Sequence, residues 1–409
     1  MDAAVAQPGI DFRDPGLPRR LHTAFRGLPP VVRLREGYWF VTRYDDVAAL
    51  LKDRVRCGTD IHRVRGYDAV RPFGAGSALE RFQEGLLINL GEKDHRRVRG
   101  AFTKPFTRAE VEASMTAMVV DLAASLLDAL PDSGDVDWVA SVAKPLPAAV
   151  FRRLFDLPEE DAEELMELLH QDTVAIDVLL DPAILSADDL LRGQEAMLGL
   201  VTYLERLALA RLQAPGDDLL SWLCAAYRQG VLSWDDVLTQ AMESLAAGTS
   251  TTQTLLSGMV EAFAAFPEQW DRLHADPSLL RGAVEEALRF VSPALTMGRV
   301  ALEDFELHGV PIRAGDVLQC AVLVANRDPA AFASPDAFDI ARTPNRHVAF
   351  GGGVHTCLGA HVARLEAREV LTRAVARWSR IEVVGEGELH PTLMIRTYKS
   401  LPVRLVARG

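Results

Sequence analysis

The spacing of apolar and polar positions changes along the chain and separates strand-like from helical regions. The runs VVRL (31–34) and YWFVT (38–42), separated by a turn at Glu36-Gly37, predict a β-hairpin. Between about 94 and 290, apolar residues recur every three or four positions, which predicts helices. Strand-like runs return at 298–320 and in the last 30 residues. The clearest predicted helices are 45–53 (starting at Asp45), 111–130, 186–213, 238–266 and 358–378.

These elements predict a mainly α chain with small β-sheets, an α+β fold. No repeat, low-complexity block or Gly/Ser linker divides it, so we expect one domain over 1–409 whose residues 1–30, rich in Pro and Arg, are mostly irregular. Residues 54–85 have no steady period and predict a long loop, which in a compact protein is more often functional than idle.

Composition excludes several classes of protein. Of the 409 residues, 49% are hydrophobic and 25% charged, which is typical of a globular chain and excludes disorder and collagen. The net charge of −13 argues against a protein whose whole surface binds nucleic acid. Residues 1–16 lack the features of a signal peptide, and the uncharged stretch between Glu243 and Glu261 is too short and polar to span a membrane. We expect a cytoplasmic monomer.

The four cysteines form no CxxC pair, which argues against a zinc ribbon or a disulfide scaffold. Cys57, Cys224 and Cys320 have no motif around them and are expected to be small core residues. Cys357 differs, because three glycines precede it in FGGGVHTCLG (350–359) and a predicted helix follows it. Glycines let a backbone approach a flat ligand closely, and a helix N-terminus favours a thiolate. This cysteine therefore has the surroundings of a metal ligand.

The stretch resembles the heme-binding signature of the cytochrome P450 family, Phe-x-x-Gly-x-(Arg/His)-x-Cys-x-Gly. All five positions match, and the resemblance implies heme b with a cysteine thiolate on its iron. The matching residues are Phe350, Gly353, His355, Cys357 and Gly359. The plain alternative is a buried free cysteine in a glycine turn.

The resemblance extends over most of the chain. Glu286 and Arg289 share a helix face in an ExxR match, and with Arg342 they correspond to the buried structural network of the family. Heme propionates need cationic or hydrogen-bonding partners. The family positions supply His95, Arg99, Arg299 and His355. The Pro-rich approach to His95 that is usual in the family is replaced here by Gly91-Glu92-Lys93-Asp94.

The segment Ala247-Gly248-Thr249-Ser250-Thr251-Thr252 matches the oxygen-binding helix of the family. By resemblance, Gly248 leaves a groove beside the iron and Thr251 presents its hydroxyl to bound dioxygen. A plain alternative is that these hydroxyls bond back to carbonyls one turn earlier.

The usual acid before the threonine is replaced by Ser250, which can relay a proton through water but cannot hold a charge near neutral pH. Three explanations stay open at this point. Another carboxylate such as Glu243 delivers protons through water, the protein uses peroxide, or it oxidises without full oxygen insertion.

No flavin or iron–sulfur motif is present, so the resemblance implies electrons from an external ferredoxin and an NAD(P)H-dependent reductase. An acidic ferredoxin requires a basic patch on this acidic protein. Candidate residues for that patch are Arg96, Arg97, Lys104, Arg108 and Arg346.

Pocket walls can be placed by analogy, and they are mostly apolar, which predicts a lipophilic small-molecule substrate. The predicted pocket residues are Leu245, Ala246, Ala294, Leu295, Met297, Met394 and Ile395. The first predicted wall of the pocket is the segment 62–90. Four cationic residues near this segment can bind a substrate carboxylate or form a solvated loop face. They are His62, Arg63, Arg65 and Arg71.

Three functions are consistent with these residues. The first is a heme-thiolate monooxygenase that hydroxylates or epoxidises a lipophilic molecule, as in secondary metabolism. The second, suggested by Ser250, is a peroxide-driven or oxidative-coupling enzyme. The third is a heme-binding protein without turnover, against which Thr251 and Gly248 argue.

Overall fold

The computed structural model describes residues 22–25, 27–67, 76–161, 165, 187–390 and 395–408. Most of these residues are helical. The helices are α1 (Tyr44–Leu50), α2 (Ala78–Gly85), α3 (Glu92–Phe102), α4 (Thr116–Asp128), α5 (Pro145–Leu154), α6 (Ala187–Gln213), α7 (Leu219–Arg228), α8 (Trp234–Ala265), α9 (Pro267–Ala275), α10 (Leu280–Val291), α11 (Val322–Ala325) and α12 (Ala360–Arg377).

The strands form small sheets beside the helices. They are β1 (Val31–Arg35), β2 (Tyr38–Val41), β3 (Cys57–Gly58), β4 (Gly134–Asp137), β5 (Met297–Ala301), β6 (Phe305–Leu307), β7 (Val310–Ile312), β8 (Val317–Cys320), β9 (Trp378–Val383), β10 (Glu388–Leu389), β11 (Tyr398–Ser400) and β12 (Pro402–Ala407). The largest sheet has the order β1-β2-β8-β5-β3, and a second has the order β4-β12-β9. The predicted hairpin is confirmed, with Val31 opposite Val41 in antiparallel register.

Helix α8 runs through the main hydrophobic core and packs against α5, α10, α12 and strand β9. A capping box closes its N-terminus, because the Ser233 side chain accepts from the Asp236 N–H and the Asp236 side chain accepts in return. The prediction of 238–266 began four residues after the observed start of this helix at Trp234 and ended one residue after its last residue, Ala265. The observed mixture of long helices and small sheets confirms the α+β fold class.

Other boundaries also differ from the prediction. The helix predicted at 111–130 begins with a π-helical turn at Val111–Met115, and its α-helical part is α4. Arg43, not Asp45, caps α1, and Asp45 lies in the first turn. The predicted loop at 54–85 contains a short strand, a 3-10 turn at Ile61–Arg63 and α2, while its residues 68–75 lie outside the described ranges.

The expectation for residues 1–30 falls mostly outside the described residues. In the described part of the chain, no helix combines the length and apolar character that crossing a bilayer requires.

Candidate functional site

Cys357 ends a glycine loop that leads into α12. Gly351 and Gly353 have φ of 70° and 67°, a conformation that favours glycine. A Cβ on Gly353 would stand 3.1 Å from the Leu51 carbonyl oxygen, so a side chain at this position would also be crowded by the backbone of that residue. The Cys357 N–H donates to the Phe350 carbonyl at 2.9 Å and closes the loop.

The four cysteines have different environments. Cys357 is exposed, and it lines a cavity, whereas Cys57, Cys224 and Cys320 are buried as predicted. Burial raises the pKa of the Cys57 thiol to about 12 and that of Cys320 to about 11. Cys357 is exposed only toward the cavity, where desolvation raises its pKa, while the Gly359 N–H lowers it. A metal ion bound to this sulfur would favour the thiolate.

A cavity of about 460 Å³ lies between the Cys357 loop and one face of α8. The α8 residues that line it recur every three or four positions, as expected for a single helix face. They are Gln240, Glu243, Ser244, Ala247, Gly248, Thr251, Thr252 and Leu255. Apolar side chains from other elements complete much of the wall, among them Phe102, Phe106, Phe151, Leu288 and Val362.

Three arginines and two histidines also line this cavity, and four of these side chains match the predicted propionate partners, namely Arg99, Arg299, His95 and His355. Arg99 donates to the Thr356 carbonyl at 2.6 Å, and Arg299 donates to backbone carbonyls at 2.8 and 3.1 Å. Within the described ranges, neither guanidinium has a carboxylate within ion-pair distance. Burial lowers the pKa of both arginines. An anionic ligand would supply the missing countercharge.

The two imidazoles belong to the same group. Their ring centroids are 4.0 Å apart. Burial lowers the pKa of His95 to about 4 and that of His355 to about 3, with the nearby arginines adding to both shifts. Nε2 of His95 has no hydrogen-bond partner in the described structure although the residue is only 3% exposed. Neutral imidazoles can donate a hydrogen bond to an anionic oxygen. These four side chains therefore fit the propionates of heme.

The predicted network residues meet in the structure. Glu286 is fully buried, and its carboxylate accepts from Arg289 Nη2 and Nε at 2.7 and 2.8 Å and from Arg342 Nε at 3.1 Å. Arg289 also donates to the Asn326 carbonyl at 2.9 Å. The Asn326 side chain accepts from the Val348 N–H at 2.9 Å, which ties the network to the start of the cysteine loop.

On α8, the structure separates the three residues predicted for oxygen chemistry. Thr251 and Gly248 line the cavity, and the Thr251 hydroxyl donates to the Ala247 carbonyl at 2.7 Å, the back-bond of the plain alternative. Ser250 is 8% exposed and does not line the cavity. A Cβ on Gly248 would stand 2.0 Å from the ring of Phe151, so this ring also requires the glycine.

The predicted substrate pocket needs correction. Ala294, Met297 and Ile395 line the cavity, whereas Met394 lies outside the described residues. Leu245 and Ala246 instead pack in the main core, and Leu295 packs beneath the first sheet. Successive helix residues differ by about 100° in direction, so Leu245 and Ala246 turn away from the face that Ser244 and Ala247 share.

Glu366 was missed by the sequence reasoning. It lies on α12, lines the cavity and is fully buried, and neither carboxyl oxygen has a partner in the described residues. Burial raises its pKa well above the ordinary value, because the charged carboxylate is desolvated, and this favours the protonated form. The sequence offers only a weak signal, because Glu366 stands beside the apolar positions Val362, Leu365 and Val370 but Glu369 follows it in the same helix.

The predicted basic patch consists largely of paired side chains. Arg96 pairs with Glu92, Arg97 with Asp94 and Asp236, and Arg108 with Glu112. Lys104 instead lies 5.3 Å from the ring of Trp222, and the Arg346 carbonyl accepts from the Tyr44 hydroxyl.

The cationic loop residues are also engaged. His62 is 3.8 Å from Glu84, Arg63 3.8 Å from Asp60, and Arg65 2.9 Å from the buried Asp316. None of these three lines the cavity, which favours a loop face over a carboxylate site. Arg71 lies outside the described residues.

Comparisons with known proteins agree with this geometry. The family model described as Cytochrome P450 matches residues 204–392. The chain is 37% identical to the 20-oxo-5-O-mycaminosyltylactone 23-monooxygenase of Streptomyces fradiae over 89% of this chain and 83% of that protein. It is 30% identical to the biotin biosynthesis cytochrome P450 of Bacillus subtilis (strain 168) over 94% of this chain and 95% of that protein.

A solved structure gives the same answer for the fold. The crystal structure of P450BioI in complex with hexadec-9Z-enoic acid ligated acyl carrier protein is 30% identical to this chain. It matches with a TM-score of 0.84 over 96% of this chain and 99% of that one. The chain therefore belongs to the cytochrome P450 family of heme-thiolate oxidoreductases, and it is a monooxygenase of the type found in bacterial secondary metabolism.

Proposed function

We propose that this P450 hydroxylates or epoxidises a lipophilic small molecule, with dioxygen and two electrons from an external ferredoxin and its reductase. The observation that carries the proposal is the arrangement around one cavity. Cys357 lies in its wall together with the Thr251 face of α8, two arginines that have no carboxylate partner in the described residues, and two histidines. That arrangement supports oxidation of a molecule held inside the cavity.

We assign Cys357 as the residue that would ligate the iron of a bound heme. His95, Arg99, Arg299 and His355 would hold the propionates, because the charge of those carboxylates compensates the two guanidinium groups. Phe350, Gly353 and Gly359 would shape the loop against the macrocycle. Bound heme supplies the oxygen activation and the oxidation of the substrate carbon, and the thiolate favours cleavage of the O–O bond.

The protein's own contribution is position and protons. In the proposal, the Thr251 hydroxyl donates to the Ala247 carbonyl, so its oxygen can accept a hydrogen bond from a group in the cavity. Gly248 leaves the helix surface open beside it. Ser250 does not line the cavity, so it is a weak candidate for direct transfer. Glu366 is a better one, because burial raises its pKa and so favours the protonated carboxyl group, which lines the same cavity and has no other partner in the described residues.

For electron delivery, we propose docking of the acidic ferredoxin near Lys104 and Arg346. Within the described structure, neither side chain has a carboxylate within ion-pair distance, unlike Arg96, Arg97 and Arg108. Lys104 follows α3, the helix that carries Arg99, so an approach there brings the donor close to the heme edge. Substitution of Lys104 by Glu should slow ferredoxin-supported reduction and leave chemical reduction by dithionite unchanged.

Ser250 keeps peroxide-driven chemistry as a second candidate. The test compares product formation from a screened lipophilic substrate with ferredoxin, reductase and NAD(P)H against product formation with hydrogen peroxide. The proposal expects the electron-transfer system to support faster and sustained turnover. Turnover with peroxide alone would favour the second candidate. A bound compound that shifts the heme spectrum but is never oxidised would reject both.

A further inference from the structure

Glu243 is a carboxylate in the wall of an otherwise largely apolar cavity. It lies on the cavity face of α8, eight residues before Thr251, a separation of about 12 Å along the helix axis. It is therefore far from the hydroxyl and is placed to meet a remote part of a bound substrate. At this separation, the proton delivery through water that was considered from the sequence would require a long chain of water molecules.

The protein provides Glu243 with backbone partners but no counterion. Its Oε2 accepts from the Leu87 N–H at 2.6 Å. Throughout the described ranges, no arginine, lysine or histidine lies within ion-pair distance of it. Burial raises the pKa of Glu243 to about 7, and the groups that lower it are the N–H groups of Leu87 and Ile88.

Several other buried or half-buried carboxylates among the described residues are paired with a cation. Glu286 contacts Arg289 at 2.7 Å, and Glu285 contacts Arg364 at 2.6 Å. Asp236, on the same helix as Glu243, contacts Arg97 at 2.7 Å. A desolvated carboxylate without a countercharge costs free energy, which a cationic ligand recovers when it binds. Glu366 also lacks a counterion, but it is fully buried, whereas Glu243 retains partial exposure.

We propose that Glu243 binds a cationic amine of the substrate. The inference rests on the proposed function and narrows its substrate class to lipophilic molecules that carry a protonated or quaternary nitrogen. A cation satisfies Glu243 better than a neutral hydroxyl, because hydrogen bonds to charged groups and ion pairs in a desolvated site exceed neutral ones in strength. With the nitrogen held at Glu243, the carbon that is oxidised lies about two helix turns away, near Thr251.

The test uses two probes of similar shape. Decyltrimethylammonium carries a full positive charge and cannot coordinate iron, because its nitrogen has no free electron pair. Decyldimethylamine N-oxide has the same chain and no net charge at pH 8. Binding of each to the heme-loaded protein is measured by isothermal titration calorimetry, below the concentrations at which the probes form micelles. The variants are Glu243→Gln and, as a charge control, Asp235→Asn, which is exposed in the first turn of α8.

We expect wild type and Asp235→Asn to bind the ammonium probe about tenfold more tightly than the N-oxide, a coupling typical of a partly desolvated ion pair. Glu243→Gln should lose this preference and bind the N-oxide within twofold of wild type. Equal affinity of wild type for the two probes would overturn the inference, and so would a preference that survives in Glu243→Gln.

A second variant covers the case in which Glu243→Gln does not retain heme. Ser244→Lys places an internal cation beside the carboxylate, and we expect it to remove the preference, so a preference that persists counts against the inference. The reduced carbon monoxide spectrum of each preparation is recorded first. A wild type without a thiolate-type spectrum would contradict the proposed function. A normal spectrum without a preference for the ammonium probe would contradict only the assignment of Glu243.

Discussion

Replacing Glu286 by glutamine should destabilise the protein because it removes the negative charge that two buried guanidinium groups share. Glu286 accepts from both Arg289 and Arg342, and it also accepts from Asn345 at 3.1 Å and from the Asp339 N–H at 2.9 Å. Glutamine keeps the shape but turns one acceptor into a donor that faces other donors. Breaking a buried pair in this way costs about 3–5 kcal/mol.

The cost can be converted into a melting temperature. An unfolding entropy of roughly 2.1 cal/mol/K per residue gives about 0.9 kcal/mol/K for this chain, so the midpoint should fall by about 3–6 °C. Differential scanning calorimetry measures the change. Glu303→Gln is the matched control, since Glu303 is exposed, and it should move the midpoint by less than about 1 °C. An equally small change for Glu286→Gln would refute the reasoning.

The same substitution should loosen the cysteine loop. Arg289 reaches Asn326, and Asn326 holds the Val348 N–H at the start of that loop. We therefore expect less heme per protein in Glu286→Gln than in Glu303→Gln, measured by the pyridine hemochrome assay. Full heme retention together with the expected loss of stability would show that the network does not support the loop.

Three further predictions follow from single residues. Glu243→Gln should stabilise the protein relative to wild type by on the order of 3 kcal/mol at pH 8 and by little at pH 4. The reason is that the pKa of Glu243 is about 7 in the folded protein, so its carboxyl group ionises in the unfolded chain at a lower pH than in the folded one. Denaturant titrations at both pH values check this, and a pH-independent difference contradicts it. Gly248→Ala should cost about 1–3 kcal/mol because of the Phe151 ring, and Phe151→Leu in that background should restore most of the loss in the same titrations. Glu366→Gln should lower product formed per NAD(P)H consumed without lowering the melting temperature, and unchanged coupling would remove the proton-donor role.

Local motifs could be predicted from the sequence because their geometry is set by spacing along one element. Glu286 and Arg289 stand three residues apart on one helix, and they pair as this spacing predicts. The loop before Cys357 is likewise determined by its consecutive glycines. The predictions that were confirmed at the level of fold rest on long periodic helices, for which the apolar pattern is strongest.

Features that depend on packing between distant segments could not be predicted in this way. Gly248 faces a ring almost a hundred residues earlier in the chain, and no sequence pattern around Phe151 predicts that contact. The substrate face of α8 was predicted at Leu245 and Ala246, one position away from the residues that line the cavity. Because each residue turns the helix by about 100°, an error of one position moves a prediction from the cavity face to the core face. Glu366 was missed since its isolation from partners appears only in three dimensions.

The reduced carbon monoxide difference spectrum tests most directly the claim that Cys357 ligates heme iron. It should be recorded for wild type, for Cys357→Ala and for Cys224→Ala, whose thiol is buried far from any motif. The account predicts a thiolate-type spectrum for wild type and Cys224→Ala and its loss in Cys357→Ala. A thiolate-type spectrum that persists in Cys357→Ala, or a wild type that binds no heme, would contradict the account.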